Sequence, residues 1–275
     1  MKTKKPIKPY YRFNNEVLKS LDENWTRASD HAKILTVDNQ KTIKGAKYGY
    51  KTLGIHFAPF TLSGQNICPW ASKGCAAACL NTAGRGIFES IQKARIKKTQ
   101  DFQTNRNKFL ARLYREISNE IRAAEKAKIK LAFRLNLTSD LQFEKIALNH
   151  KSEQSIIHTF KDIQFYDYTK GKRRYEAYLS GADSFPKNYH LTYSRAETSK
   201  LDYLKGILKK GGNVAVAFQG IKKDEPMIKT YKGYPVIDGD INDLRFKDQR
   251  GSWIGLRSKG KAKKDKTGFA VDPKS

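Results

Sequence analysis

The chain has 275 residues, of which 39% are hydrophobic and 11% aromatic, a composition typical of a globular rather than a disordered protein. No apolar run approaches the roughly 20 residues that a membrane span needs, and the charged N-terminus lacks the apolar segment of a secretory signal. The 54 Lys and Arg against 27 Asp and Glu give a formal net charge of +27. Nucleic acid is the usual intracellular polyanion that offsets such a charge. We therefore expect a cytoplasmic protein that contacts DNA or RNA and does not contact a membrane. Two alternatives remain for the positive charge: a basic surface that only aids solubility, and an anionic protein or membrane partner.

The chain is predicted to divide near residue 44. Residues 1–44 are expected to form a basic N-terminal arm with a short helix at 14–26. Residues 45–275 are expected to form a single α/β domain that ends in a basic segment at 259–266.

The first predicted strand covers residues 52–60, and all three cysteines lie in the glycine-punctuated loop that follows it at 61–86. A long amphipathic helical stretch begins near Ile87, with apolar residues at mostly three- to four-residue multiples. This stretch is predicted to break once, at Thr104-Asn105.

Six further short apolar runs are bounded by turn residues, a pattern typical of buried parallel strands joined by crossovers. They cover residues 131–137, 163–168, 189–193, 214–218, 234–237 and 253–256. We therefore predict an α/β fold, either an incomplete TIM-barrel-like sheet or an open, mainly parallel sheet, with the cysteine loop after the first strand.

Polar side chains follow several of these strands, where α/β proteins build their sites. Any one such residue is explained as well by a turn or a helix cap, and capping suits Ser139 or Asp140. Taken together, the strand ends favour a site. The candidates are Asn136, Ser139, Asp140, Arg195, Glu197 and Asp240.

The cysteines have the spacing C-x6-C-x3-C, within twelve residues. An odd number excludes a complete set of internal disulfides and indicates a reducing compartment and a shared ligand. If Gly74 opens a helical turn, Cys75 and Cys79 lie at i and i+4 on one face, and Cys68 closes over them.

Three interpretations of the cysteine loop remain open. A [4Fe–4S] cluster held by Cys68, Cys75 and Cys79 leaves one iron for an outside ligand. A zinc site would add a histidine, for which His56 is the nearest candidate. The third interpretation is three packed thiols without a metal. Loop placement and clustering argue against unligated thiols, and the iron–sulfur site is preferred, with three alanines between Cys75 and Cys79 leaving room for a bulky inorganic core.

A three-thiolate cluster after the first strand of an α/β chain resembles the arrangement of radical SAM enzymes, in which the open iron binds S-adenosylmethionine. The spacing here differs from the C-x3-C-x2-C usual in that superfamily. The resemblance implies that Asn136, Ser139 and Asp140 hold the cofactor, while Arg195, Glu197 and Asp240 position substrate or move protons.

The chain also resembles the phage gene product 88-like family, from about residue 40 to 271. The matching segments are 63–75, 79–86, 134–140, 165–170, 189–195 and 236–240. The cysteine segment is the most distinctive of them. The resemblance implies a phage protein in the host cytoplasm with a cysteine-ligated site, and it implies no particular reaction.

Two other functions remain open beside a radical SAM-like enzyme that acts on nucleic acid or a nucleotide. One is a nucleic-acid-binding protein with a structural metal. The other is a metal-dependent nuclease that uses Asp140, Glu197, Asp238 and Asp240 as paired carboxylates. All three functions require phosphate-binding cations, and the candidates are Arg85, Lys97, Lys98, Lys259 and Lys261.

Overall fold

The computed structural model describes residues 15–22, 33–36, 44–148, 154–183 and 185–275. Its helices are α1 (Asn15–Leu21), α2 (Lys73–Ala77), α3 (Glu89–Thr104), α4 (Arg106–Ala127), α5 (Ile156–Thr159), α6 (Lys172–Leu179) and α7 (Leu201–Lys209). Helix α1 packs on α4 and buries Leu18 and Leu21. Most of the predicted basic arm lies outside the described residues, and the division of the chain at residue 44 stays a prediction.

The strands are β1 (Tyr50–Gly54), β2 (Lys130–Arg134), β3 (Gln164–Thr169), β4 (Tyr189–Ser194), β5 (Val214–Phe218), β6 (Thr230–Tyr231), β7 (Tyr234–Asp238), β8 (Trp253–Arg257) and β9 (Ala270–Val271). They form one sheet in the order β1-β2-β3-β4-β5-β8-β7-β6, and β9 pairs with β5. Every pairing is parallel except the β6–β7 hairpin. In the described part of the chain β1 and β6 are the two ends of an open path, which confirms the open, mainly parallel sheet and not a closed barrel.

The predicted strands after the first are confirmed to within three residues at each end. The first strand was predicted too long: β1 begins at Tyr50 and ends at Gly54. The chain beyond it still bonds to the segment after β2, because the N–H of Leu137 donates to the carbonyl of Ile55 at 3.1 Å. Strands β6 and β9 are two residues long, too short to show an alternation of apolar and polar residues. The sequence analysis therefore did not predict them.

The predicted break in the long helical stretch is confirmed, since α3 ends at Thr104 and α4 begins at Arg106. Both helices supply aromatic rings to the core beside the first strand. The ring centroid of Phe57 lies 5.3 Å from that of Phe102 and 5.8 Å from that of Phe109. All three rings are fully buried, so this cluster fixes α3 and α4 against the chain that leads into the cysteine loop.

Residues 239–250 cover the face of β1–β4 that is opposite the helices. The ring of Phe246 contacts Tyr50 and Tyr166, with centroids 5.3 and 5.4 Å away. The Asp243 carboxylate accepts from the Arg134 guanidinium at 2.8 Å. Helices α4, α6 and α7 meanwhile pack on β2, β3 and β5. With both faces covered, the carboxyl edge of the strands is left to carry a site.

Candidate functional site at the carboxyl edge of the sheet

The first half of the cysteine loop is fixed to the segment that follows β2. The Cys68 sulfur accepts the N–H of Phe60 at 3.3 Å, and its thiol lies 3.9 Å from the carbonyl of Thr138. The N–H of Asp140 donates to the carbonyl of Ile67 at 3.1 Å. These contacts bring the predicted cysteine loop and the predicted residue Asp140 together.

The second half of the loop is fixed to Glu197, beyond β4. One Glu197 oxygen accepts the Ser72 hydroxyl at 2.5 Å, and the other accepts the N–H of Gly74 at 2.7 Å. Burial raises the pKa of Glu197, but these hydrogen bonds outweigh burial, so the net shift is downward. A Cβ at position 74 would lie 2.3 Å from the Thr267 hydroxyl and 2.8 Å from the Glu197 carboxylate, so only glycine fits against this anchor.

Helix α2 carries Cys75 but not Cys79. Its N-cap is Ser72, whose hydroxyl accepts the N–H of Cys75 at 3.2 Å. The helix ends at Ala77, and Cys79 is already non-helical with φ −54° and ψ 134°. The predicted helical turn at Gly74 is present and Cys79 lies two residues beyond its end, so a shared face for Cys75 and Cys79 stays a prediction.

Trp70 places the loop over the junction of β3 and α6. A Cβ at Gly171 would lie 2.8 Å from the indole ring, so the ring rests directly on the glycine backbone. The Arg174 guanidinium lies 5.9 Å from the centroid of the same ring. A side chain larger than hydrogen at position 171 would push the indole, and the loop with it, off the sheet edge.

Lys170 is a site residue that sequence reasoning did not select. Its ammonium donates to the Ser194 hydroxyl at 2.5 Å and to the carbonyl of Arg195 at 3.2 Å. Its N–H donates to the Asp140 carboxylate at 2.9 Å, and its charge lowers the pKa of Cys75. The sequence did offer a signal, because Lys170 directly follows β3. In the sheet β3 lies between β2 and β4, whose ends lead to Asp140 and Arg195.

The three thiols influence one another electrostatically. Burial raises the pKa of Cys68 to about 12, and the neighbouring Cys79 and Cys75 contribute further upward shifts. Burial also raises the pKa of Cys75, against the opposing charge of Lys170. Arg95 is the cation that interacts with Cys79. The cysteines therefore lie near one another, each with a distinct set of neighbours.

No group of three or more His, Cys, Asp or Glu side chains in the described part of the chain is arranged to hold a single metal ion. The iron–sulfur and zinc interpretations of the three cysteines, and the part of His56 in the second, therefore stay predictions.

All three residues predicted to bind a cofactor make hydrogen bonds within the protein. The Asn136 amide donates to the Asp167 carboxylate at 3.1 Å, and its oxygen accepts the Ser139 hydroxyl at 2.6 Å. Asp140 pairs with the Arg174 guanidinium at 2.9 Å. Burial raises the pKa of Asp140, and Arg174 opposes that shift. Ser139 is half-buried, and the binding role of all three residues stays a prediction.

Of the residues predicted to be catalytic, Arg195 and Glu197 interact electrostatically, whereas Asp240 contacts a different set of residues. Glu197 anchors the cysteine loop, and the Arg195 guanidinium donates to the carbonyl of Gly268 at 2.8 Å. Asp240 lies after β7, where its carboxylate accepts from Lys259 at 2.6 Å and lies 3.4 Å from Arg257. Cations therefore engage Asp240, while Glu197 is the candidate that contacts the cysteine loop.

The residues predicted to contact nucleic acid differ in their exposure. Arg85, Lys97 and Lys261 are exposed, and Lys259 keeps an exposed side chain while it pairs with Asp240. Lys98 instead donates to the carbonyl of Ile34 at 2.8 Å, and burial lowers its pKa to about 8. An ammonium held inward in this way is poorly placed to reach a phosphate, although its predicted role has not been tested.

A family model described as Gene product 88 matches residues 29–273, which include every cysteine and every strand. The chain belongs to the Gene product 88 family. The sequence resemblance to this phage family is thereby confirmed. Comparisons with curated proteins and with solved structures find no match, so the likeness to radical SAM enzymes stays a prediction.

One structural finding concerns membranes. Among the described residues, no helix combines the length and the apolar character needed to cross a bilayer.

Proposed function

We propose that this Gene product 88 protein holds a [4Fe–4S] cluster on Cys68, Cys75 and Cys79 and is a radical SAM-like enzyme that acts on nucleic acid. One observation carries the proposal. Three electrostatically coupled thiols lie in one loop, and that loop is fixed to the ends of β2, β3 and β4 at the carboxyl edge of a mainly parallel sheet. That edge is where α/β proteins place their chemistry.

Three thiolates in one loop are a donor set suited to an iron–sulfur cluster with one open iron. In a cluster the three thiolates bind three different irons, so they lie farther apart than the ligands of one ion. The three alanines between Cys75 and Cys79 leave room for a bulky inorganic core. When bound, such a cluster would supply one-electron chemistry to an outside ligand, S-adenosylmethionine, at the iron without a cysteine.

The protein's own residues would offset the negative charge of the thiolates. The N–H of Phe60 donates to the Cys68 sulfur, and the Lys170 ammonium interacts with Cys75. Arg95 does the same for Cys79. A hydrogen bond to one sulfur and a cation beside each of the other two are the outer contacts that tune a cluster's potential.

Glu197 and Asp140 hold the cysteine loop and Lys170 in position through hydrogen bonds. Glu197 holds Ser72 and Gly74, and Asp140 holds the backbone of Lys170. Both carboxylates are already occupied by these hydrogen bonds. We therefore assign them to positioning the cysteines and Lys170.

A nucleic-acid-binding protein with a structural metal is the second candidate, and the net charge of +27 favours it. The nuclease has less support. Asp238 and Asp240 share the Arg257 guanidinium, at 2.9 and 3.4 Å. Cations thus take the place that a metal ion would need between these two carboxylates.

The decisive experiment is anaerobic purification with measurement of iron, sulfide and absorbance. We expect about four irons per chain and a broad band near roughly 400 nm. Cys75→Ser should lose both, and Ala77→Ser, an exposed position in the same helix, should keep them. Colourless protein with one zinc per chain would select the structural metal, and metal-free protein would refute both candidates.

A further inference from the structure

Exposed apolar side chains concentrate on both sides of the cysteine loop. Nine large hydrophobic residues are exposed in the described part of the chain, and five of them lie between positions 60 and 88. We call these five the apolar rim: Phe60, Leu62, Leu80, Ile87 and Phe88, with exposures of 38%, 53%, 43%, 59% and 55%. A concentration of exposed apolar groups beside a site indicates a binding surface.

The two halves of the apolar rim lie beside thiols of the cysteine loop. Phe60 is bonded to Cys68 through its N–H, and Leu80 follows Cys79 directly. Each half of the apolar rim therefore adjoins one of the thiols. The segment that carries Phe88 is drawn towards the loop as well, because Arg95 of α3 hydrogen-bonds the Asn81 side chain at 2.5 Å.

Phe60 has an unfavourable backbone for an aromatic residue. Its φ of +54° lies in the left-handed region, which it shares with only two other non-glycine residues among those described. Lys128 caps the end of α4 and Lys232 lies in the β6–β7 turn, two places where this conformation is routine. Phe60 is the first central residue of the Pro59–Leu62 turn, closed by the N–H of Leu62 donating to the carbonyl of Pro59 at 3.4 Å, a position that glycine would occupy without strain. Strain of this kind persists at functional positions, which points to a use for the exposed ring.

Positive charge accompanies the apolar rim. Arg85 is exposed between Leu80 and Phe88. The 3-10 helix Gly260–Lys264 packs against Leu80–Thr82 and brings the exposed Lys261 and Lys263 alongside. Aromatic rings interleaved with cations are the pattern of a surface that stacks bases and neutralises phosphates.

We propose that the apolar rim binds single-stranded DNA or RNA, with bases stacked on Phe60 and Phe88 and phosphates held by Arg85 and Lys261. A duplex keeps its bases paired and would use only the cations, so exposed rings favour a single strand. The inference rests on the proposed function in one respect, that nucleic acid is the substrate of this site. A bound strand would pass directly over the thiols.

The test is fluorescence anisotropy of the full-length protein with labelled 20-nucleotide oligothymidine, oligouridine and a duplex, at several salt concentrations. We expect Phe60→Ala and Phe88→Ala each to weaken single-strand binding at least fivefold without changing the salt dependence. Arg85→Ala should reduce the salt dependence. Tyr48→Ala is the matched control, an aromatic residue 45% exposed that precedes β1 at the opposite edge of the sheet, and it should bind as the unmodified protein does.

If Phe60→Ala folds poorly, Phe60→Gly takes its place in the test. Glycine removes the ring and also relieves the strained backbone. It should unfold at the same or a higher temperature and still bind weakly. Three results would each overturn the inference. They are unchanged binding by the phenylalanine variants, stronger binding of the duplex than of the single strand, and displacement of the strand by polyglutamate at equal charge.

The failure of this inference is distinguishable from that of the proposed function. Cys75→Ser removes the cluster and leaves the apolar rim intact, so it should bind oligothymidine with the same dependence on Phe60 and Phe88. Iron-free protein that binds in this way refutes the cluster alone. Iron-loaded protein whose binding ignores both rings refutes the inference alone.

Discussion

The buried ion pairs of Arg174 offer a quantitative test of the structure beneath the site. The guanidinium is 1% exposed and pairs with Glu144 at 2.7 Å and Asp140 at 2.9 Å. It also donates to the Tyr189 hydroxyl at 2.8 Å. Arg174→Met keeps the bulk of the side chain but leaves two buried carboxylates without their cation. Removal of one partner of a buried pair costs about 3–5 kcal/mol, and we expect a loss of that size in the free energy of unfolding.

An exposed ion pair of the same length provides the control. Lys93 and Glu89 also lie 2.7 Å apart, but their side chains are 74% and 79% exposed. Lys93→Met should cost no more than about 0.5 kcal/mol, because water screens an exposed pair. Adding Glu144→Gln to Arg174→Met should recover part of the larger loss, since one uncompensated buried charge is removed.

The loss should also depend on pH. Burial raises the pKa of Asp140, and Arg174 opposes that shift, so the variant should have a still higher folded-state pKa at Asp140. A carboxyl group with a raised folded pKa contributes stability below its unfolded pKa and loses it as pH rises. The deficit of Arg174→Met should thus be larger at pH 8 than at pH 5. Urea unfolding followed by far-UV circular dichroism measures both values, and a loss below about 1 kcal/mol or one equal at both pH values would refute the reasoning.

Three further predictions test the core, the sheet and the cysteine loop. Phe57→Ala removes the central ring of the cluster beside the first strand and should cost about 3–5 kcal/mol in urea unfolding; a cost below about 1 kcal/mol would contradict that packing. Burial lowers the pKa of His190 to about 4, so NMR should show its ring neutral at pH 5.5, and stability should fall as pH drops from about 6.5 through 4; a ring titrating near 6.5 would contradict its burial. Gly74→Ala should displace Glu197 and lower the iron content of anaerobic protein. Gly206→Ala, whose added Cβ meets nothing within 4 Å, should keep the iron and gain about 0.5–1 kcal/mol of stability; equal iron loss in both would contradict the anchor.

Several features followed from local patterns in the sequence. The short apolar runs correspond to β2 to β5, β7 and β8, and the polar break at Thr104-Asn105 separates α3 from α4. These predictions succeed because side-chain periodicity and turn residues act over a few positions of the chain. The clustering of three cysteines after the first strand is equally local, and it pointed to the site before any contact was known.

Other features depended on pairings that no local pattern contains. Ser72 and Glu197 are 125 residues apart, and only the parallel order of β1 to β4 brings their side chains into contact. The tertiary structure also makes Lys170 a neighbour of Cys75 and turns Lys98, a predicted phosphate-binding residue, towards the carbonyl of Ile34. The sequence alone thus determined the elements and the identity of the thiols. The tertiary structure decided which carboxylate, which cation and which exposed rings surround them, because those contacts form only when distant strands align at one edge of the sheet.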